Sequence, residues 1–115
     1  MLDMIGAIVG DIVGSRFEWN NIKTKDFELF HPWKCAFTDD SVMTLAVAAA
    51  LMDWLGHDSD LGMLAIKRMR EFGRWFPKAG YGGHFHSWLV SGNPHPYNSW
   101  GNGAAMRVSA CGWAG

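Results

Sequence analysis

At 115 residues the chain is the size of one ordinary domain, long enough to bury roughly two-thirds of its extended surface on folding. A formal net charge of −1 gives no electrostatic basis for partnering DNA, RNA or an anionic membrane. Two widely separated cysteines, Cys35 and Cys111, read as reduced thiols of a cytoplasmic protein, and seven Trp with seven Phe promise an aromatic core.

The first residues, Met1 to Asp11, are apolar but lack a basic leader region, and Asp3 and Asp11 interrupt them, so neither a signal peptide nor a membrane span fits. Residues 4–17 read as a first helix, with Ile5, Ile8, Val9 and Ile12 on one face. Gly6, Gly10 and Gly14 recur every fourth position. Each costs about 1 kcal/mol in a helix interior, so the stripe predicts close approach of another helix backbone. Asp11 and Glu18 lie two turns apart on one line, with Ser15 nearby.

Residues 19–37 contain Asn20-Asn21 and His31-Pro32 and show no sustained period. They read as a long connection with at most a short turn. It leads into Phe37-Thr38-Asp39-Asp40-Ser41, an all-oxygen cluster opening an Ala-, Leu- and Met-rich run. Thr, Asp and Ser favour the start of a helix and Ala, Leu and Met its interior. The pattern predicts a helix to about Trp54-Leu55, stopped by Gly56 as a left-handed cap. Its apolar side chains lie on nearly all faces, which marks it as central and buried.

Asp58-Ser59-Asp60 predicts the cap of a third helix, about Leu61 to Phe76, ended by Pro77. Its buried stripe is Leu61, Leu64, Ala65, Met69, Phe72 and Phe76, with Lys67, Arg70, Glu71 and Arg74 on a solvated face. The glycines of 79–83 then turn into a short helix that ends near Ser91-Gly92-Asn93-Pro94. The last segment, from Tyr97, repeats that architecture, with a polar glycine-containing loop before a helix of small residues. No linker, repeat or second domain is found.

Three stretches carry a resemblance. Gly6-Ala7-Ile8-Val9-Gly10-Asp11-Ile12-Val13-Gly14-Ser15-Arg16-Phe17-Glu18, then Phe37-Thr38-Asp39-Asp40-Ser41-Val42-Met43-Thr44, then Ser99-Trp100-Gly101-Asn102-Gly103-Ala104-Ala105-Met106-Arg107 follow one another in the order found in the ADP-ribosylglycohydrolase family. Tyr81-Gly82-Gly83 fits the glycine turn between the second and third of these motifs. The resemblance implies an all-α fold of which 1–115 is one partial domain, the N-terminal half. The family's late Asp-x-Asp-Thr/Ser metal motif is not found here. Asp58-Ser59-Asp60 has Leu61 after it, lies too early, and reads as a helix cap.

The resemblance further implies metal-dependent hydrolysis of an ADP-ribosyl glycosidic linkage, with Thr38, Asp39 and Asp40 as ligands to Mg²⁺ or Mn²⁺. Hard cations take oxygen ligands of this kind. Glu18 would guard the site or assist proton transfer, with Asp39 beside it in catalysis, while Asp11 would tie loops together through backbone amides. Tyr81, Gly82 and Gly83 would face the pyrophosphate through their amides. Ser99, Trp100, Gly101 and Asn102 would hold the ribose and phosphate region, with Trp100 available for stacking. Arg107 is expected to tie the core by an ion pair, Cys35 to be structural, and His84 and His86 to lie on the surface or at a pocket rim. Partners would be an ADP-ribosylated protein or a small ADP-ribose conjugate. A non-catalytic fragment that binds ADP-ribose or oligomerises is the competing reading, and a helical protein whose acids only cap helices is a third. Half a domain leaves the central helix short of neighbours, which predicts self-association into a homo-oligomer.

Overall fold

The computed structural model describes residues 4–114; Met1 to Asp3 and Gly115, counted above in the first and last segments, lie outside the described residues. Every regular element described is helical, as the all-α expectation requires. Helix α1 (Ile5–Gly14) runs on into a 3-10 turn at Ser15–Phe17. It is followed by α2 (Asp39–Trp54), α3 (Leu61–Trp75), α4 (Gly83–Val90), α5 (Gly103–Met106) and α6 (Ser109–Ala114). Residues 19–37 form the expected connection, with a turn at 32–34 and no helix. No described helix is long and apolar enough to cross a membrane.

Helix α2 is the axis of the fold: α1, α3, α5 and α6 all pack on it. Val42, Met43, Ala46, Val47, Ala50 and Leu51 are buried along it, and its alanines let neighbouring helices come close. One end of this core meets Met69, Phe72, Tyr81, Phe85 and Met106, and the other meets Leu61, Met69 and Ala110. The buried Thr44 hydroxyl lies 2.6 Å from the Asp40 carbonyl and 3.1 Å from that of Met106, fastening α5 to α2.

Two expectations about this core are corrected. Helix α2 is not covered all round: Leu45 is 43% and Met52 64% exposed, seven residues apart on one face. No Trp or Phe is among the buried residues described, because one layer of helices around α2 is too thin to enclose so large a side chain. The radius of gyration of 15.1 Å agrees, since a compact chain of this length has about 13 Å.

The predicted helix ends hold. Gly56 closes α2 at φ +80°, and Asp60 caps α3 by accepting from the amides of Gly62 and Met63. The basic face of α3 is only partly solvated. Lys67 and Arg74 are exposed, but Arg70 donates to the Ser91 carbonyl and Glu71 receives Arg68 at 3.2 Å. Arg68 also forks onto Asp53 of α2 at 2.6 and 2.9 Å, and this hydrogen bonding holds the Asp53 carboxyl below the usual carboxylate range. The last segment forms two short helices rather than one, parted at Arg107-Val108.

The glycines reverse the expected pattern. A Cβ at Gly6, Gly10 or Gly14 would meet nothing within 4 Å, so among the described residues no other helix backbone approaches the α1 stripe. The close approach is at Gly73 instead, where a Cβ would lie 2.8 Å from a methyl of the buried Leu89 as α3 crosses α4. Gly73→Ala is therefore expected to destabilise the chain by about 1–3 kcal/mol through overpacking. Gly10→Ala, on an open helix surface, is expected to stabilise it by up to about 1 kcal/mol. Urea unfolding of the two variants beside the parent reads both signs.

Candidate active site

The site is built at the start of α2, and Asp11 builds it. One Asp11 carboxylate oxygen accepts from the Thr38 amide at 2.7 Å, the Ser41 hydroxyl at 2.6 Å and the Ser41 amide at 3.2 Å. Its other oxygen accepts from the Thr38 hydroxyl at 2.5 Å. Thr38 in turn caps the Asp40 amide, and the Asp39 amide donates to the Ala79 carbonyl at 2.8 Å. The amides of Asp39, Asp40 and Ser41 are thus satisfied without help from the Asp39 or Asp40 carboxylate. Asp11 has the loop-tying role expected of it.

Both freed carboxylates are electrostatically loaded. Partial burial pushes Asp39 up to about 6, and the charges of Asp40, Glu18 and Asp11 add to it while the Thr38 hydroxyl partly offsets them. Asp40 is raised by burial first and then by Asp11 and Glu18. Neither has a Lys or Arg within salt-bridge distance among the described residues.

Asp39 opens onto a cleft of about 1150 Å³ between the start of α2, the 80–88 region and the 94–107 segment. Of the predicted site residues, Glu18, Asp39, Gly82, Gly83, Ser99, Trp100, Gly101 and Asn102 line it together. Thr38, Asp40 and Tyr81 are not in its wall. Tyr81 turns its ring onto Phe85 in the core and donates its hydroxyl to the Phe76 carbonyl at 2.8 Å, and burial pushes its phenol up to about 12. Trp100 projects fully into solvent at the rim, and so does Trp19, next to Glu18 in the sequence. Position beside the Glu18 acid was the one signal that could have marked Trp19. His84 is at the cleft and its ring meets Tyr97 edge-on, whereas His86 is exposed elsewhere.

Arg107 departs from expectation. It forms no ion pair among the described residues; its guanidinium lies 4.6 Å from the Phe85 ring centre and lines the cleft. Cys35 is structural as expected: its sulfur receives the His31 amide at 3.2 Å, and both cysteines are free thiols.

The ADP-ribosylglycohydrolase family profile matches residues 4–115. The chain belongs to that family. It is also 30% identical to ADP-ribosylhydrolase ARH3 of Xenopus tropicalis, over 91% of this chain and 36% of the relative. The chain thus spans about a third of that relative's length. No solved structure gives a significant match.

Members of the ADP-ribosylglycohydrolase family are generally metal-dependent. Among the described residues no group of three or more His, Cys, Asp or Glu is placed to hold a metal ion. The donor chemistry nevertheless suits a hard cation. Two adjacent carboxylates offer hard oxygen donors, with the charge of Asp40 adding to the raised proton affinity of Asp39, and the Thr38 hydroxyl, giving its proton to Asp11 and accepting from the Asp40 amide, keeps one lone pair.

The raised Asp39 and Asp40 have a consequence for stability. In the unfolded chain both titrate near 3.8, so folding takes up protons above that point, for Asp39 up to about 6. The contribution of Asp39 to stability is full below about pH 4 and is lost as pH rises through 6. In metal-free buffer the thermal midpoint is expected to drop over that window, and Asp39→Asn to flatten the drop. A midpoint that falls as steeply in the variant would show that Asp39 is not the group responsible.

Proposed function

We propose that this chain carries the nucleotide-binding and part of the catalytic wall of a hydrolase that cleaves an ADP-ribosyl glycosidic linkage and releases ADP-ribose. The observation that carries the reading is the meeting of Glu18, Asp39 and the 99–102 loop in one cleft, in a chain of this family. Thr38, Asp39 and Asp40 would hold Mg²⁺ or Mn²⁺. Such an ion supplies orientation of hydroxyl groups and charge neutralisation near the anomeric carbon.

The chain's own residues account for the rest. Glu18, exposed at the cleft and facing the charge of Asp39, is placed to hold or move a proton of the attacking water. Amides at Gly82 and Gly83, at the start of α4, favour a pyrophosphate. Ser99, Gly101 and Asn102 offer hydroxyl, amide and carboxamide groups to the ribose, and Trp100 an aromatic face to a base. Substrates of this kind are an ADP-ribosylated protein or a small ADP-ribose conjugate, in a reducing cytoplasm that suits the two free thiols.

A second reading is favoured by the short metal cage and by coverage of only 36% of the relative: a non-catalytic piece that binds ADP-ribose or oligomerises. Incubation with ADP-ribosyl-arginine protein or O-acetyl-ADP-ribose and Mg²⁺ decides. Released ADP-ribose that is lost in Asp39→Ala and Asp40→Ala supports the hydrolase; retained ADP-ribose binding with no turnover supports the second reading.

The uncovered Leu45 and Met52 of α2 support self-association of the single partial domain into a homo-oligomer. Light scattering at micromolar concentration is expected to give more than the 12.8 kDa monomer, and a stable monomer would contradict it.

A further inference from the structure

A second cavity, of about 330 Å³, lies between the 3-10 turn and the 19–37 connection and shares no wall residue with the cleft. Its size is at the small end of the range for ligand pockets. Arg16 is its fixed point. The guanidinium sits 4.6 Å from the centre of the Phe17 ring, and its Nη2 donates to the Glu28 carbonyl. Its Nε is buried without a hydrogen-bond partner, and its Nη1, which is not shut off from solvent, has none either among the described residues.

The other polar groups in the wall are chiefly donors. The Nδ1 of His31 accepts the Trp33 amide at 3.3 Å, which marks the ring as uncharged and puts its one proton on Nε2. Lys34 brings an ammonium. Glu28 is the one carboxylate, and it forms no ion pair with Arg16 or Lys34 among the described residues. Arg16 and Lys34 set against Glu28 leave one positive charge over. Phe17 and Phe27 meet edge to face at 5.4 Å and give the same wall an apolar surface.

We propose that this cavity binds an organic monocarboxylate with a flat apolar body, its carboxylate on Arg16 and its body against Phe17 and Phe27. One surplus charge suits a monoanion, and the Glu28 carboxylate would repel the second charge of a phosphate. The guanidinium is held before a ligand arrives, by the Glu28 carbonyl and the Phe17 ring, so little of its side-chain freedom remains to be lost on binding. The far end of the connection is closed back onto the residue before Arg16, where the Ser15 hydroxyl oxygen accepts the Ala36 amide at 3.1 Å. Because no wall residue is shared with the cleft, the site stands independently of the ADP-ribose reading.

Titration calorimetry of the chain with benzoate, benzamide, acetate and inorganic phosphate tests the site. Benzoate is expected to bind, and benzamide, which has the ring without the charge, to bind about tenfold or more weakly, the scale of a charge-assisted hydrogen bond. Acetate lacks the ring and phosphate carries the extra charge, so both should bind more weakly than benzoate. Arg16→Met should weaken benzoate by about tenfold or more. Lys34→Met and Phe27→Ala, at exposed positions, keep the test open if Arg16→Met fails to fold. The first should weaken benzoate by up to about fivefold, the scale of an exposed ion pair, and the second should weaken benzoate but not acetate. Benzoate bound no more tightly than benzamide, or bound unaltered by folded Arg16→Met or by both milder variants, overturns the proposal. So does a parent chain that binds no benzoate, phosphate bound more tightly than benzoate, or displacement of benzoate by ADP-ribose, which would put it in the cleft.

Discussion

The carboxylate of Asp11 holds the start of α2, and the rest of the site follows from that clasp. A helix begins with amides that have no partner within the helix. Here the amides from Thr38 to Ser41 are met by Asp11, by Thr38 and by the Ala79 carbonyl, and the Val42 amide closes the first turn on Thr38. One side chain from α1 thereby fixes the register of the central helix against two other parts of the chain. The same clasp commits both Asp11 oxygens to hydrogen bonds, one of them to three donors and the other to the Thr38 hydroxyl.

Freedom of Asp39 and Asp40 is the product of that division of labour. Aspartate in a first helical turn ordinarily serves the dipole and the amides. With those amides already satisfied, the two acids are left partly buried, and burial first, then the charge of neighbouring carboxylates, raises their proton affinity where a capping aspartate's would fall. Four acids, Asp11, Glu18, Asp39 and Asp40, are held close enough to act on each other, with only one of them fully committed to structure. Carboxylates with raised proton affinity gathered in a cleft are a pattern found at functional sites.

Helix positions were legible from the sequence because their signals are local. Asp60, Gly56 and the Thr38 cluster are start and stop residues whose effect depends on neighbours a few positions away. The four-residue glycine stripe misled, since glycine spacing reports that a helix surface is flat and not that anything lies against it; Gly73, with no companion, carried the real contact. Arg107 misled for a related reason. A basic residue among small apolar ones suggests a buried ion pair, yet its neighbours in space are a ring, a thioether and a carbonyl. The site motifs were readable only as a set. Glu18, Asp39 and Asn102 are 84 residues apart from first to last, and no local pattern places them around one cleft.

The thin core bears on how firmly that cleft can be held. Among the described residues eight apolar ones are buried, six of them on α2, and the aromatic side chains that would normally anchor a domain of this length stand at its edge. Burying a large apolar side chain contributes about 1.5–3 kcal/mol, so rings left half in solvent forgo much of the stabilisation this composition could give. The polar ties at the start of α2 and the Arg68–Asp53 fork therefore carry a larger share of the order than they would in a complete core. Each of these ties joins α2 to a different partner. Covering the Leu45 and Met52 face would add apolar burial to the same helix, and so would tighten the cleft without touching any residue that lines it.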